Sequence, residues 1–410
     1  MIGCTALILI DSESLAAHLD TKGTNAVPHR NSVFHEVLKL VPWASFDKLV
    51  EEYDTDALVR RFTTRQQFLA LLFGQLSGAA SIRDLEARME SHRARLYHVG
   101  AGDLRRSTFS DANALRDPRV FSKLFETMLE KVGRGVRRKM GDAVRLVDST
   151  SLRLSGVGSQ WARFSSQICG AKAHVVYDPD VGRPVYHAVT ASNVNDISAA
   201  KQMPIEAGAT YVFDLGYYDY AWWAHLDAAG CRIVTRFKTV TPLLEPRERA
   251  VAPDATVLSD RIGFLPARLA QSRRNPMGEA VREVVVLNQT GKRLRLLTND
   301  LDADAQEIAD LYKRRWQIEL YFRTMKQTLK ITKFFGRSEN AVRIQIAVAL
   351  IAYLLLQALQ KLCEGKVGFL ELVRLARANL MHRKDPTHMR TPQTRPPIDC
   401  RQLELSFSPT

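Results

Sequence analysis

Three acids and a run of cations carry the chemistry open to this sequence. Asp148 stands in L-V-D-S-T at the expected end of one apolar run, Asp214 at the end of another in V-F-D-L-G-Y-Y, and Glu319 inside R-R-W-Q-I-E-L-Y-F-R. Two carboxylates about 4 Å apart repel by about 4 kcal/mol at an effective dielectric near 20. A divalent cation removes that cost. All-oxygen ligation with open positions suits Mg²⁺ or Mn²⁺, and two such ions can activate an attacking oxygen and stabilise a leaving oxygen in phosphoryl transfer. Taken singly, each acid has an ordinary reading: a strand-ending Asp bonded to its turn, or a solvated Glu on a helix. The surroundings of Glu319 argue otherwise. Tyr312, Arg315, Glu319 and Lys326 follow one another at steps of three, four and seven residues. On one continuous helix these fall within a stripe of roughly 60°, at about 100° per residue. An Arg suits bidentate phosphate contact and a Lys supplies a point charge. Between Lys313 and Arg337 the cations include Arg323, Lys330 and Lys333, and Glu319 is the only acid. A basic helix with a single embedded carboxylate is hard to read as a mere solvated face.

The elements that must position these residues follow from composition and periodicity. With 410 residues, 46% of them hydrophobic and 25% charged, the chain has the composition of a globular protein with a sizeable core, which excludes a disordered polymer or a coiled coil. Its net charge of +14 favours an anionic partner, either nucleic acid or an acidic membrane surface. The apolar runs Ala6–Ile10 and Ala347–Leu359 read as too short or too polar to span a bilayer, and the N-terminus lacks the basic region of a secretory signal. A cytoplasmic, nucleoid-associated protein without a membrane partner is the expectation. Five widely spaced cysteines without a C-x-x-C pair read as reduced thiols.

Residues 1–27 form an unassigned extension. Helical periodicity then predicts an all-helical N-terminal domain over 28–140, taken as the DNA-binding domain if its short helices read DNA. Within it, Ser81 precedes one short helix, and Ser107 or Ser110 is placed to cap a second one carrying Asp111, Asn113 and Arg116. Two short helices around a turn, with Arg105 and Arg106 beside the second, have the form of a helix-turn-helix, although plain helical packing gives the same pattern. After Met140 the period shortens. Five strands are expected at Val144–Val147, Ala173–Tyr177, Pro184–Val189, Tyr211–Phe213 and Cys231–Thr235, with helices over Asp196–Ala207 and Tyr218–Ala229. The D-P-D-V-G segment at Asp178–Gly182 joins the second and third strands as a hairpin. Three meandering strands followed by helix-strand alternation give an α/β fold with an RNase H-like catalytic core, its first part at 141–237. A β-rich insertion is expected at 238–300, the last core helix at 301–337 with Asp302 or Asp304 as its cap, a C-terminal helical region at 338–380, and a disordered tail at 381–410.

The motifs resemble a known family. Y-x2-R-x3-E-x6-K, here Tyr312, Arg315, Glu319 and Lys326, is similar to the signature of DDE transposases of the bacterial insertion sequence four family, as is R-W-Q-I-E-L-Y-F-R-T-M-K-Q-T-L-K-I-T-K-F-F-G around it. V-D-S-T at Asp148 and D-L-G-Y-Y-D-Y at Asp214 resemble the family's first two catalytic motifs, with K-A-H (Lys172–His174) and A-V-T-A-S-N-V-N-D (Ala188–Asp196) also similar. The long gap between Asp214 and Glu319 lies where such enzymes carry a β-rich insertion. The resemblance implies that Asp148, Asp214 and Glu319 hold two Mg²⁺ or Mn²⁺ ions, and that Arg315 and Lys326 hold phosphates near the cut with Tyr312 supporting them. It further implies that a homodimer brings two element ends together on double-stranded DNA. A metal-dependent nuclease without strand transfer and an inactive DNA-binding repressor are the rival readings. Trp222, Trp223 and Trp316 are expected in packing rather than base stacking. His174 and His187 are expected in cross-strand pairing or burial, and Lys172 either at DNA or solvated.

Overall fold

The computed structural model describes residues 32–57, 59–133, 143–154, 161–162, 169–251, 256–270, 273–287, 291–329, 331, 333–363, 367–382 and 389. The extension expected at 1–27 and Lys330 lie outside these residues.

From residue 32 to residue 133 the described elements are helical: α1 (Val33–Lys39), α2 (Trp43–Glu52), α3 (Thr64–Ser77), α4 (Ile82–Ser91), the single turn α5 (Arg93–Leu96), α6 (Arg106–Leu115) and α7 (Arg119–Gly133). Thr63 and Gln66 form a reciprocal capping box at the start of α3, and Gly78 ends that helix in the left-handed conformation that glycine adopts without strain. Ser81 caps α4 as expected. The start of α6 differs from expectation. Arg105 occupies its cap position and makes no side-chain cap bond, so neither Ser107 nor Ser110 begins the helix.

The polar residues expected on α6 also turn inward. Asn113 Oδ1 accepts from Gln67 Nε2 at 2.8 Å, and Arg116 donates to Gln67 Oε1 at 3.0 Å. Phe109 is buried and meets Phe335 edge-on. Asn113 and Arg116 therefore hold helices together. Arg106 pairs with Glu86 at 2.9 Å on the surface, and Arg105 is exposed beside it.

The strands are β1 (Val144–Leu154), β2 (Cys169–Asp178), β3 (Arg183–Ala191), β4 (Thr210–Phe213), β5 (Arg232–Arg236), β6 (Leu244–Glu248), β7 (Val257–Phe264), β8 (Arg268–Ala270), β9 (Arg273–Arg274), β10 (Val281–Leu287) and β11 (Arg293–Thr298). Between β3 and β4 lies α8 (Asp196–Ala200), and between β4 and β5 lies α9 (Tyr220–Ala228). Pro204 follows soon after α8, which stops short of the expected Ala207. Asp219 caps α9 by accepting from Trp222 N.

Among the described residues nine strands form one sheet in the order β3-β2-β1-β4-β5-β11-β10-β7-β6. β1, β4 and β5 run parallel, while β2 and β3 form an antiparallel hairpin on one side. Segment 238–300 is β-rich and extends this sheet, because β11 pairs with β5 through Leu297↔Thr235.

Helices cover both faces. On one face Leu146, Leu152, Val212 and Val234 join a core shared with the N-terminal helices, α10 (Ala305–Arg314), α11 (Trp316–Arg323), α12 (Glu339–Leu362) and α13 (Phe369–Asn379). On the other face Val147, Tyr211, Phe213 and Ile233 pack with Trp222, Trp223 and Leu226 of α9. Trp222 and Trp223 are core residues as expected.

α12 corrects the expectation drawn from apolar run length. It is long and apolar enough to cross a bilayer, yet 83% of its most apolar window is buried inside the molecule. Ser338 caps it, and its Tyr353 hydroxyl and Gln357 amide donate to the Gly182 carbonyl at the β2–β3 turn. Most of the tail expected at 381–410 lies outside the described residues, but Met381 and Met389 within that range are buried in the core.

Candidate active site

β1 does not end at Asp148. The alternation continues through the buried Leu152 and Leu154, and β1 pairs with β2 as far as Leu154↔Cys169, so Asp148 sits in mid-strand. β1 and β4 run parallel with Val147↔Phe213 in register. The next residue on each is an acid. Because side chains alternate, Asp148 follows Leu146 and Asp214 follows Val212 on one face of the sheet. Asp214 leaves the strand to cap a short 3₁₀ turn, Leu215–Tyr217, accepting from Gly216 N at 2.8 Å. Asp148 Oδ1 accepts from Ser149 N at 2.7 Å.

Glu319 reaches the same place from α11, which packs on β1. Asp148, Ser149, Thr150, Asp214, Arg315, Glu319, Phe322, Arg323, Lys326 and Gln327 line one open cavity of about 410 Å³. The helix presenting Glu319 is not the continuous one that the spacing suggested. α10 starts at its cap Asp304 and ends at Arg314, Arg315 forms the junction, α11 runs to Arg323, and Thr324–Thr328 is a π-helical turn. Bonds from Arg315 N to Tyr312 O and from Ile318 N to Arg315 O tighten that junction to three-residue spacing.

The break redistributes the expected stripe. Tyr312 is buried outside the cavity lining, with the Arg315 guanidinium 5.7 Å from its ring centre. Arg315 lies among the acids: Nη2 donates to Glu319 Oε1 at 2.7 Å and Nη1 stands 3.5 Å from Asp148 Oδ2. Arg323 is exposed at the rim, and Lys326 is half-buried in the lining. Lys333 is exposed and absent from the lining, as are Arg105 and Arg106 at the start of α6. Trp316 is 53% exposed at the start of α11, contrary to its expected packing role.

The electrostatics identify a place that calls for a cation. Burial, with added repulsion from Asp214 and Glu319, pushes the Asp148 carboxyl up to about 7, against the opposing effects of the Ser149 N–H and Arg315. Burial alone lowers Lys326 from the usual lysine range. Among the described residues no three His, Cys, Asp or Glu side chains close a metal cage, and Arg315 stands between Asp148 and Glu319. The donor set is nonetheless all carboxylate, with the first acid desolvated, and this suits a hard divalent ion. Asp148, Asp214 and Glu319 are the residues that would hold one.

One group had no role in the sequence reading. The Ser149 hydroxyl donates to Asp196 Oδ1 at 2.8 Å, and Lys172 Nζ donates to the same oxygen at 3.1 Å. Lys172 is thus an internal ion-pair partner, neither solvated nor turned to a ligand. His174 is buried, its Nε2 2.8 Å from Thr190 Oγ1, and it faces Ala188 rather than His187 across the hairpin. His187 packs edge-on against Phe125. The K-A-H and S-N-V-N-D strings were the available signal, but their meeting depends on strand register.

The family model described as a transposase DDE domain matches residues 139–355, more than half of the sequence, and the chain belongs to this family of DDE transposases. A second model, a domain of unknown function termed DUF4372, matches residues 29–102. The chain is 37% identical over 310 residues to the y4zB protein of Sinorhizobium fredii, named as a transposase, covering 73% of this chain and 85% of that one. It is 28% identical over 263 residues to the protein named as the transposase of insertion sequence element IS5377 in Geobacillus stearothermophilus, covering 62% and 68%. A shorter match, 34% identical over 113 residues, covers 26% of this chain and 33% of the protein named for element IS4SA in Synechocystis.

Proposed function

We propose that this transposase binds the terminal inverted repeats of an insertion sequence, cleaves DNA at the element ends and joins the freed 3′-OH ends to target DNA. The reading rests on Asp148, in the middle of β1, and Asp214, just past the end of the parallel β4, lining one cavity that Glu319 also lines. Three antiparallel strands followed by two parallel ones, with helices on both faces, support an RNase H-like core for that cavity. Asp148, Asp214 and Glu319 would hold two Mg²⁺ or Mn²⁺ ions, whose chemistry is to activate the attacking oxygen and stabilise the leaving one.

The chain's own side chains do the rest. Arg315 balances Asp148 and Glu319 while DNA is absent, and once those acids are otherwise neutralised its guanidinium is available to a phosphate. Lys326 loses solvation in the cavity wall, so a phosphate beside it offsets that loss and favours the charged form. Arg323 continues the cationic rim, Lys330 and Lys333 follow it in the sequence as further DNA contacts, and Tyr312 supports Arg315. Arg105 and Arg106 extend DNA contact onto the N-terminal helices. A homodimer on paired ends, acting in the cytoplasm at the nucleoid, completes the proposal.

The test uses duplex DNA carrying the element's own end. Asp148→Asn, Asp214→Asn and Glu319→Gln should each lower cleavage by about a thousandfold or more while end binding, measured by gel shift, persists. Any of these variants cutting at the wild-type rate removes that residue from the site. Strand-transfer product from a pre-cleaved end separates a transposase from a nuclease that stops at hydrolysis.

A further inference from the structure

Behind Asp148, on the opposite face of β1, four side chains converge. Ser149 is directly opposite His174 in the β1–β2 register, and Lys172 is opposite Ser151, two residues along the same face. All three reach Asp196 Oδ1, at the first position of α8: Ser149 Oγ at 2.8 Å, Lys172 Nζ at 3.1 Å and His174 Nδ1 at 3.7 Å. Lys172 also donates to the Val194 carbonyl at 3.0 Å, which ties the loop before α8 to the same point.

The other oxygen of Asp196 faces the cavity acids. A methyl group built on Gly216 would lie 3.5 Å from Asp196 Oδ2 and 3.0 Å from Asp214 Oδ1, so the two carboxylates meet across that glycine. Asp196 is therefore near Asp214, and joined to Asp148 through Ser149, without lining their cavity.

We propose that Asp196 is a positioning residue of the site. It holds the Ser149 hydroxyl, which fixes the Ser149 N–H bonded to Asp148 Oδ1 and keeps Asp148 Oδ2 on the cavity side, where it meets Arg315. This inference rests on the reading of Asp148 and Asp214 as ligands of a divalent ion. Lys172 and the Ser149 hydroxyl supply the local attraction that lets a further carboxylate stand so near Asp214. A purely structural Asp196 would only anchor α8, and removing the Ser149 hydroxyl would then leave ion affinity untouched.

The test is binding of Mn²⁺ alone to the full-length chain, followed by electron paramagnetic resonance without DNA. Thermal melting checks that each variant is folded. Asp196→Asn and Ser149→Ala should each weaken Mn²⁺ binding about three- to tenfold, the scale of one hydrogen bond. The double variant should be no weaker than the worse single one, because both act through one contact, and Ser149→Thr should bind as the wild type does. If both single variants bind Mn²⁺ as tightly as the wild type while Asp148→Asn loses it, Asp196 is an anchor of α8 only and the inference is overturned. If Asp148→Asn itself binds unchanged, the ion site falls, and the inference falls with it.

Discussion

Asp148 stores an electrostatic cost that pH should reveal. Its carboxyl is held near 7 in the folded chain, against an ordinary value near 3.9 in an unfolded one. Between those two values the folded state binds more protons than the unfolded state, so stability falls as pH rises from about 4 to about 7. Asp148→Asn should remove that part of the fall. In chelator-containing buffer, the variant's stability advantage should grow by on the order of a few kcal/mol across this window and stay level above it. Parallel melting curves for the two proteins at every pH would show that Asp148 is not strained. The three acids were visible in the sequence because each ends or interrupts a recognisable apolar pattern. The four-residue step also placed Arg315 beside Glu319, but its approach to Asp148 and the loss of Tyr312 from the stripe were not visible, because spacing arithmetic assumes an unbroken helix and says nothing of the neighbouring strand. Asp196 was invisible for a different reason: its neighbours come from two strands whose register no local pattern states.

Most elements were legible from period and punctuation, and the misreadings were at their ends and at the break in the helix that carries Glu319. The hairpin turn ending at Gly182, with φ 73°, and the caps Ser81 and Asp304 act locally, so the sequence displays them. The attachment of segment 238–300 to the main sheet is a long-range pairing and leaves no local trace. Buried charge stitches that extension together. Arg282, 1% exposed, is held by both oxygens of Asp260 at 2.8 Å, and Glu283 on the other face is gripped by Arg261 and Arg295. Removing one partner strands the other in a dry site. Arg282→Ala should therefore destabilise the fold by about 3–5 kcal/mol in chemical denaturation, and Arg282→Met with Asp260→Leu should recover much of the loss. Equal stability of wild type and Arg282→Ala would mean that water reaches the pair.

At the scale of the whole molecule, α12 joins parts that the sequence presented as separate. It packs against α1, α3, α6, α7 and α13, and it is pinned to the β2–β3 turn through Tyr353. The N-terminal helices thus share their core with one face of the sheet. A chain beginning at residue 143 should lose cooperative unfolding and expose apolar surface to a hydrophobic dye, because α12 would lose partners along much of its length. A sharp melting transition in that fragment would instead make the helices a separable unit. For the same reason the exposed Arg105 is a better probe of DNA contact than deletion of α6, whose Phe109 is a core residue.

The sheet is open, and its far edge is β6. Every residue of Leu244–Glu248 is exposed, which would ordinarily offer a row of unpaired amides to any passing extended chain. Three features blunt it. Pro246 has no N–H to offer, Glu245 takes a left-handed backbone with φ 48°, and the register against β7 slips between Leu244 and Arg247. Glu245, Arg247 and Glu248 add charge along the same five residues. The sheet, nine strands among the described residues, thereby keeps β6 from seeding fibrous stacking and leaves the protein free to meet its partners through side chains rather than through main-chain adhesion.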